Sequence, residues 1–453
     1  MSTDQVGDRP ASVTLAEKSD AVCRMGALML GAGTGSYRVK AAMGRVAAAL
    51  GIERLEAQVS LNEIVATTRA GGTFRTQVVE TPPPAVNADR IRALLRVSLR
   101  AGPGLRAADL HRQLDRVEAR RPLYAFATVV GGAAAACAAF AFLNNGRWQE
   151  CLAAGLAAGL GKATQLVLHR RPRLNQLAVV ALASTVACVA YLLLANLLHV
   201  LLPTAANPLH EAAFTSAILF LVPGFPLITA AIDLARFDFG SGISRLLYAT
   251  LITLAAAVGA WLAASVFGLT PAEIEPMTTS VGWLLALRVL ASFVGIVGFA
   301  ITFNTPWRIA LVAAAGGTIA NVPRLFAVDA GLNPLLAATA ATLVIGLLAG
   351  AVSQRLAAPR IIVSVPAVLI MIPGASTYRA LVAMINRDPL SALGNGSVSL
   401  GVVLGLVGGL VLARMITDPA WTAPAPSWTQ MPHTRAQYVL QSRDQPQPDE
   451  PVG

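Results

Sequence analysis

Long apolar stretches without charged residues are the feature of this sequence that most limits its fold. Because about 20 apolar residues in a helix cross the hydrocarbon core of a bilayer, such stretches predict a polytopic membrane protein. The composition agrees, since 55% of the residues are hydrophobic and only 13% are charged. Ten spans can be drawn, at about 123–143, 150–168, 177–202, 212–235, 246–267, 282–303, 309–328, 335–353, 361–385 and 397–413.

The formal net charge of +11 comes largely from arginines in the N-terminal region and in short loops between the apolar stretches. We interpret it as positive-inside anchoring in a membrane rather than as nucleic-acid binding. With the N-terminus inside, the internal loops hold Arg170, Arg171, Arg173, Arg236, Arg245, Arg308, Arg355 and Arg360, and the external loops hold Arg147 and Arg387. This bias predicts that both termini are cytoplasmic.

Residues 1–121 precede the first span and predict a small cytoplasmic α+β domain. The Gly- and Ala-rich segment from Ala21 to Leu50 predicts a helix, although GAGTGSY lies in its middle. VSLNEIVATTRAGGTFRTQVV then contains two β-rich runs around a Gly-Gly turn. Two amphipathic helices follow, with apolar faces formed by Ile91, Leu94, Leu95 and Leu99 in the first and by Leu110, Leu114 and Val117 in the second.

No motif in the sequence indicates an enzyme, a metal site or a cofactor. GAGTGSY lacks the GxxxxGK[ST] pattern of a phosphate-binding loop, and no Ser/His/Asp set or metal-ligand spacing is visible. The cysteines lack paired spacing and are interpreted as small core residues: Cys23, Cys137, Cys151 and Cys188. The Pro- and Gln-rich segment 417–453 predicts a disordered tail.

The second half of the membrane region repeats the first. LVPGFPLITAAID aligns with MIPGASTYRALVA, so that Pro223 and Gly224 lie over Pro373 and Gly374 at an offset of 150 residues. Further landmarks keep the same order, with Asn145 and Trp148 over Asn304 and Trp307, and Asn175 over Asn333. The repeats cover 122–267 and 282–416 and hold five spans each. Because five is odd, the second repeat enters the membrane in the opposite sense, which predicts two inverted repeats.

The two Pro-Gly pairs lie within predicted spans and are our first candidates for a substrate site. Proline removes a backbone donor, and freed polar groups are tolerated in hydrocarbon only where protein or a water-filled cavity satisfies them. Broken helices at matching places in inverted repeats are typical of secondary transporters. The structural alternative is that these residues only kink packed helices.

Polar residues near the Pro-Gly pairs are the second group of candidates. Asp233 lies one helical turn after Thr229, and an acid within a membrane span predicts an ammonium partner or a proton carrier. The structural alternative is that Asp233 is an interfacial residue that forms an ion pair with Arg236. The repeat places Thr229 over Arg379, which could hold a substrate carboxylate or snorkel toward the outer surface.

Lys162 lies over Asn321 in the repeat and forms a matched polar pair with it at similar depth. Lys162 could neutralise Asp233, bind an anion or snorkel to the inner face. Arg288 and Arg324 lie nearer the predicted outer ends of their spans, and we interpret both as structural.

Four segments of the sequence resemble the threonine/serine exporter family of bacterial inner-membrane proteins: GAGTGSYRVKAAM, PGFPLITAAIDLARFDFGSGISRL, NTPWRIALVAAAGGTIANVPRL and IPGASTYRALVAM. The resemblance runs from about residue 15 to 415. It implies a soluble N-terminal domain, ten spans and export of small hydroxy amino acids driven by the proton motive force. Some relatives carry the halves on two chains and are linked to dicarboxylate export. The resemblance supplies no site residues.

Together these observations predict a proton-coupled exporter in the bacterial cytoplasmic membrane, working by alternating access and needing no cofactor or nucleic acid. A zwitterionic amino acid would lie between the Pro-Gly breaks, with its carboxylate near Arg379 or a helix N-terminus and its ammonium near Asp233. Thr229, Thr377 and Tyr378 could meet its hydroxyl group. The sequence leaves open whether the protein forms a homo-oligomer.

Two other classes of protein are the alternatives. A dicarboxylate exporter would rely on Lys162 and Arg379 more than on Asp233. A membrane scaffold, or an enzyme housed in the N-terminal domain, would leave the membrane region without transport activity of its own.

Overall fold

The computed structural model describes residues 10–81, 85–171, 173–201, 211–267, 280–385, 387–418 and Trp421. Apart from Thr417, Asp418 and Trp421, the predicted disordered tail lies outside these residues. The chain divides into two compact units. The first holds the described residues up to 85 and those from 90 to 120, and the second holds residues 86–89 and 121–418.

The first unit is an α+β domain with a three-stranded antiparallel sheet in the order β1-β2-β3. Its elements are α1 (Pro10–Gly31), α2 (Ser36–Ala49), β1 (Arg54–Val59), β2 (Glu63–Ala70), β3 (Thr73–Glu80), α3 (Ala88–Arg100) and α4 (Ala107–Glu118). Its apolar core joins Met25 of α1, Met43 of α2, Ile64 of β2 and Leu114 of α4. Cys23 belongs to the same core, and burial raises the pKa of its thiol to about 11, which agrees with a structural cysteine.

Two predictions for this domain were wrong in detail. The single helix expected over Ala21–Leu50 is two helices, because the chain turns at Gly33, whose φ of 93° favours glycine. The N–H groups of Gly33 and Thr34 donate to the carbonyls of Leu30 and Met29 and cap α1. Strand β1 was missed, because only two of its residues, Leu55 and Val59, are fully buried and the charged Glu56 lies between them.

Other expectations for this domain were confirmed. The Gly-Gly turn joins β2 to β3, with φ of 57° at Gly71 and 75° at Gly72. Leu110, Leu114 and Val117 form the buried face of α4. In α3, Ile91 and Leu94 are buried and Leu95 is half-buried, but Leu99 is 59% exposed, because the helix ends one residue later and the buried face ends at Ser98.

The second unit is entirely helical in the described residues. Its elements are α5 (Phe126–Leu143), α6 (Trp148–Leu168), α7 (Gln176–Leu201), α8 (Glu211–Ser216), a 3₁₀ turn (Leu219–Leu221), α9 (Gly224–Leu234), α10 (Phe239–Phe267), α11 (Val281–Thr302), α12 (Trp307–Asp329), α13 (Pro334–Leu356), α14 (Arg360–Leu369), α15 (Gly374–Ile385) and α16 (Pro389–Thr417).

Eight of these helices are long and apolar enough to cross a membrane. A ninth span in the described chain is the pair Ala213–Leu221 and Gly224–Leu234, which is bent by 69° at Val222 and Pro223. The predicted span at 361–385 is two short helices, α14 and α15, separated at Ile370–Pro373. Eight of the ten predicted spans are therefore continuous helices, and the two that contain the Pro-Gly pairs are each broken into shorter helices.

The outer surface of this unit is apolar, as a protein in a bilayer requires. Large side chains such as Leu160, Leu254 and Val266 are 52% or more exposed. Trp148 and Trp307 are each 61% exposed at the first residue of their helices, where tryptophan is typical of a membrane interface. The second unit is therefore a multi-pass membrane region.

One helix boundary corrects the charge count made from the sequence. α10 begins at Phe239 rather than near residue 246, so Arg245 is not a loop residue. It lies inside the helix and is 1% exposed. Without Arg245, seven arginines instead of eight remain in the predicted internal loops.

Aligned positions of the two halves have the same local geometry at the connections between helices. Asn145 and Asn304 both adopt a left-handed backbone, with φ of 66° and 55°. At the next connection, the side-chain oxygen of Asn175 accepts from the Leu177 N–H at 2.8 Å. The side-chain oxygen of Asn333 accepts in the same way from the Leu335 N–H at 2.9 Å.

The close approach of two helices is also repeated. A Cβ added at Gly259 of α10 would lie 2.4 Å from the Ala181 carbonyl oxygen of α7. A Cβ added at Gly409 of α16 would lie 2.2 Å from the Thr339 carbonyl oxygen of α13. Because a side chain would not fit at either position, glycine allows each pair of backbones to touch.

Candidate functional site

Both Pro-Gly pairs lie where the structure breaks a helix. Gly224 begins α9 and donates its N–H to the Val222 carbonyl at 2.9 Å, while the Leu227 N–H donates to the Pro223 carbonyl at 3.0 Å. The second break, at Pro373 and Gly374, has the same two bonds, with lengths of 2.9 and 3.1 Å. Proline has a fixed φ and lacks an N–H, so it interrupts a continuous helix. At both places the chain makes a tight turn and then begins a new helix.

The helices that flank the two breaks pack against each other. Gly224 of α9 lies against Leu369 of α14, so closely that an added Cβ would be 2.2 Å from Leu369 Cδ2. On the other side, Gly374 begins α15, and its neighbour Tyr378 packs on Phe214 of α8 with ring centroids 5.4 Å apart. Each helix that follows a break therefore contacts the helix that precedes the break in the other half.

Asp233 lies near the end of α9, fully buried beside an equally buried arginine. Its Oδ2 is 3.4 Å from Nε of Arg245 in α10, and the two side chains are 0% and 1% exposed. The Ser241 hydroxyl donates to Asp233 Oδ2 at 3.1 Å and accepts from Arg245 Nε at 3.1 Å. Arg245 also donates to the Thr229 hydroxyl at 3.5 Å. Removing one member of a buried ion pair costs about 3–5 kcal/mol, because the other charge stays buried.

Arg245 is the residue of this cluster that the sequence prediction missed. The structural alternative considered for Asp233 was an ion pair with Arg236, and the ion pair that Asp233 forms with Arg245 was not predicted from the sequence. The sequence predicts a loop up to residue 245, and an arginine in a loop does not indicate a buried ion pair. A signal was present, since Ser241 and Arg245 lie four residues apart and share one helix face.

Thr229 is buried, and its hydroxyl is engaged within its own helix. It donates toward the carbonyls of Phe225 and Pro226, at 2.8 and 3.1 Å. These are the carbonyls four and three residues before Thr229, to which a threonine hydroxyl in a helix commonly donates. Its hydroxyl therefore links α9 to Arg245.

The candidates on α15 lie next to the second break. Thr377 is exposed, and its hydroxyl donates to the Pro373 carbonyl at 2.8 Å and lies 2.6 Å from the Ser399 hydroxyl of α16. Tyr378 is buried, and Arg379 is half-buried. This helix therefore carries hydroxyl and guanidinium groups within two turns of a broken backbone.

The aligned pair of Lys162 and Asn321 has different surroundings in the two halves. Lys162 of α6 donates to Gln165 at 2.9 Å, and its Nζ lies 5.8 Å from the ring centre of Phe220, just before the first break. Asn321 of α12 is buried, where it donates to Ser292 of α11 at 2.9 Å and accepts from Arg324 at 3.0 Å. Lys162 thus lies near a break, while Asn321 joins two continuous helices.

Arg288 was interpreted from the sequence as a structural residue, and its contacts agree with that interpretation. Arg288 forms an ion pair with Asp329 at 2.6 Å and stacks on the Phe326 ring at 4.6 Å. These contacts tie α11 to the end of α12. Arg324 bonds to Asn321 in the same pair of helices.

The arrangement around the breaks can attract an anion and hold a buried charge. The N-termini of α9 and α15 begin inside the membrane region, and the N-terminus of a helix carries a partial positive charge. Asp233 lies near the far end of α9, the helix that follows the first break, and its partner Arg245 lies on α10. This combination of broken helices and ionisable groups is typical of a transport pathway.

Comparisons with known proteins relate this chain to a family of membrane exporters. Models of the threonine/serine exporter family match residues 20–267 and residues 288–416. A protein of Mycobacterium tuberculosis named "Probable threonine/serine exporter" is 24% identical over 88% of this chain and 76% of its own length. The "Threonine/serine exporter" of Corynebacterium glutamicum is 24% identical over 87% of this chain and 81% of its own length.

A further relative carries a different substrate in its name. "Probable succinate transporter subunit YjjP" of Escherichia coli is 29% identical over 56% of this chain and 97% of its own length. No solved structure was found to match the chain. The two family models lie on either side of the segment between α10 and α11 and together match most of the sequence. The chain therefore belongs to the threonine/serine exporter family.

Proposed function

We propose that this chain is a secondary active transporter that exports small hydroxy amino acids, threonine and serine, across the bacterial cytoplasmic membrane. The observation that carries the proposal is the contact between the two broken helices, one of which also forms a buried ion pair with α10 through Asp233. The relatives of Mycobacterium and Corynebacterium, which match most of this chain, support the same substrates.

Transport proceeds by alternating access between two inverted five-span repeats, with both termini in the cytoplasm. The first repeat is α5 to α10 and the second is α11 to α16, with the broken pairs α8–α9 and α14–α15 counted as one span each. The repeated geometry of Asn145 and Asn304 and of Gly259 and Gly409 supports this division. A substrate held between the breaks would face either side as one repeat rocks against the other.

Asp233 couples export to proton entry. Because Arg245 neutralises the carboxylate, a proton can add to Asp233 only as the ion pair opens, and the opening frees α9 to move against α10. A proton arriving from outside thus competes with Arg245 for the same carboxylate. In this role Asp233 exchanges between Arg245 and a proton. It is not a permanent partner of the substrate ammonium group.

The substrate carboxylate lies at the N-termini of α9 and α15 and near Arg379, and Thr377 and Tyr378 contact the side-chain hydroxyl. The half-buried Arg379 and the exposed Thr377 hydroxyl on α15 support this placement. Both helix N-termini favour a negative charge.

Export of a small dicarboxylate such as succinate is the second candidate. It is favoured by the YjjP match, which covers 97% of that protein and 56% of this chain. A dicarboxylate has no ammonium group and would bind Lys162 and Arg379 instead of lying near Asp233.

Counterflow of labelled threonine in proteoliposomes tests the proposal. Unlabelled threonine, serine, alanine and succinate are the competitors, an imposed pH gradient is the driving force, and protein-free liposomes are the control. We expect uptake that serine blocks, that succinate leaves unchanged and that the gradient drives. Uptake of succinate without uptake of threonine would replace the proposal with the second candidate.

A further inference from the structure

A lysine or arginine and a side-chain amide three residues away form the same hydrogen bond in both halves of the membrane region. In α6, the Lys162 ammonium donates to the Gln165 side-chain oxygen at 2.9 Å. In α12, Arg324 Nε donates to the Asn321 side-chain oxygen at 3.0 Å. The alignment that places Lys162 over Asn321 also places Gln165 over Arg324. The bond is therefore repeated, with the positions of the cation and the amide exchanged.

Neither of the two cations forms an ion pair within the part of the chain that the structure describes. The Lys162 ammonium lies 5.8 Å from the ring centre of Phe220. Arg324 has two charged neighbours, Arg288 and Asp329, but Asp329 pairs with Arg288 at 2.6 Å. These three groups of α11 and α12 therefore carry one positive charge in excess. An ionisable group in a membrane span is costly, and one without a counter-charge is a candidate for binding an anion.

Arg324 is held in a way that leaves the end of its guanidinium available. The Asn321 amide nitrogen donates to Ser292 of α11 at 2.9 Å, which turns the amide oxygen toward Arg324 Nε. A guanidinium has five N–H donors, and this bond uses only the donor on Nε. The donors on Nη1 and Nη2 match the two oxygens of a carboxylate. Because Arg324 is half-buried, its guanidinium is not sealed from a ligand.

Each cation lies on the side of its helix that faces the segment leading into a break. Gly317 of α12 packs on α14, since a Cβ there would lie 2.7 Å from the Ala367 Cβ, shortly before the second break. Arg324 lies two turns further along the same face of α12. In the first half, Lys162 lies over Phe220, just before the first break. The two cations are therefore placed alike with respect to the broken helices of their own halves.

The predicted inversion places the two cations toward opposite sides of the membrane. Both lie in the second half of their helices, Lys162 in α6 and Arg324 in α12. By the predicted topology, α6 runs toward the cytoplasm and α12 runs away from it. Lys162 is then nearer the cytoplasm and Arg324 nearer the outside, so a carboxylate that crosses the breaks meets one cation on each side.

We propose that Arg324 binds the substrate carboxylate on the outer side of the breaks, and that Lys162 is its counterpart on the cytoplasmic side. The proposal rests on the proposed export function and adds to it the residues that hold the carboxylate before and after it passes the helix N-termini. Because an amide positions a cation without neutralising it, a carboxylate binds there without displacing an ion pair. Arg288 keeps its structural role, whereas Arg324 is no longer interpreted as structural.

Exchange measured from each side of the membrane tests this proposal on the full chain. Right-side-out vesicles loaded with labelled threonine report the external threonine concentration that gives half-maximal exchange, and inside-out vesicles report the same value for the cytoplasmic face. We expect Arg324→Gln to raise the external value by about tenfold to a hundredfold, the worth of a hydrogen bond to a charged group, and to change the cytoplasmic value by less than about twofold. Lys162→Gln should have the opposite effect on the two faces.

Three controls separate carboxylate binding from a structural role. Threoninol lacks the carboxylate, so as an external competitor it should inhibit Arg324→Gln and the unchanged protein equally. Arg308 is exposed at the start of the same helix, so Arg308→Gln should leave the values for both faces unchanged. Arg324→Lys keeps the charge but not the bidentate geometry, and we expect it to recover part of the external affinity that Arg324→Gln loses.

Several results would overturn this site and leave the export function standing. An unchanged external value in Arg324→Gln is one, and an equal change on both faces, which misfolding or a structural role predicts, is another. An equal loss for threonine and threoninol would assign Arg324 to packing or to a lipid phosphate. An effect of Lys162→Gln on the external face would refute the assignment of the two sides.

Failure of the export function has a different signature in the same vesicles. If the unchanged protein exchanges succinate and not threonine, the proposal of hydroxy amino acids fails, and the values for the two faces measured with succinate decide the role of Arg324. Exchange of neither compound would contradict both the export function and the site that rests on it.

Discussion

At the scale of single residues, the Asp233–Arg245 ion pair has the clearest consequences for stability and for coupling. Both groups are buried, Ser241 bonds to both of them, and Arg245 also reaches Thr229, so that four side chains on α9 and α10 form one hydrogen-bonded cluster. A cluster of this kind is costly to break at one member and can act as a switch if a proton replaces the arginine.

Replacing Asp233 by asparagine should abolish the response of export to a pH gradient. Asn cannot take up a proton, and it leaves Arg245 as a buried charge, which lowers the free energy of unfolding by about 3–5 kcal/mol. Counterflow with and without a pH gradient measures the first effect, and thermal unfolding in detergent measures the second.

The control for this variant is Asp388→Asn. Asp388 is exposed and caps α16, which begins at the turn corresponding to that before α10, and asparagine caps a helix equally well. We expect Asp388→Asn to keep both stability and coupling. Undiminished and still pH-dependent export by Asp233→Asn would contradict the coupling role of Asp233.

The two glycines at the breaks should differ in their tolerance of alanine. A Cβ at Gly224 would lie 2.2 Å from Leu369 Cδ2, whereas the nearest atom to a Cβ at Gly374 is 3.5 Å away. Gly224→Ala should therefore lower the free energy of unfolding by about 1–3 kcal/mol and slow threonine counterflow, and Gly374→Ala should do neither.

A second substitution tests whether the contact with Leu369 is the cause. Leu369→Ala in the Gly224→Ala background removes the clashing atoms, so we expect counterflow to recover in the double variant. If Gly374→Ala is as damaging as Gly224→Ala, the effect comes from the loss of glycine at a break and not from the packing between α9 and α14.

At the scale of helices, matching glycines allow two pairs of spans to pack backbone to backbone. Gly259 joins α10 to α7, and Gly409 joins α16 to α13. In α16, Gly405 and Gly409 lie one turn apart on the face toward α13, with Thr342 donating to the Gly405 carbonyl at 3.4 Å. Close packing of this kind supplies much of the association energy between helices in a membrane.

Alanine at Gly259 or Gly409 should therefore separate these helices and lower the melting temperature. The added methyl group would meet backbone atoms, which cannot move aside as a side chain can. Gly408→Ala is the matched control, because a Cβ at Gly408 has no atom within 4 Å among the described residues. Size-exclusion chromatography after heating measures the change. Equal melting temperatures for Gly408→Ala and Gly409→Ala would contradict this packing argument.

At the scale of the whole molecule, the proposed inversion places corresponding helix ends on opposite sides of the membrane. Trp148 and Trp307 are aligned in the repeat, begin α6 and α12, and are each 61% exposed. They match in alignment, in position within the helix and in exposure, and they differ in the predicted side of the membrane.

Single cysteines at these positions test the inversion. In a variant that lacks the four native cysteines, an impermeant maleimide added to intact cells should label Trp148→Cys. It should label Trp307→Cys only after the cells are permeabilised. The cysteine-free variant is the control for background labelling. Labelling of both positions from the same side would contradict the inverted repeat.

Much of this molecule followed from patterns along the chain. Apolar stretches indicated the membrane helices, because the length of a span is fixed by the bilayer. Pro223 and Pro373 indicated both breaks, because proline lacks the donor that a continuous helix needs. The Gly-Gly turn between β2 and β3 was visible for a similar reason, since positive φ favours glycine. Span length, proline breaks and glycine turns all depend on the local backbone and on the bilayer or water around it.

Contacts between distant residues were decided only by the tertiary structure. The partner of Asp233 lies twelve residues further along, inside a helix whose start was misplaced. The contact of Gly224 with Leu369 depends on how separate helices pack. The sequence by itself determined where helices run and where they break, because those preferences act within a few residues. The structure decided which buried charges and glycines meet, because packing depends on the shape of all the neighbouring helices together.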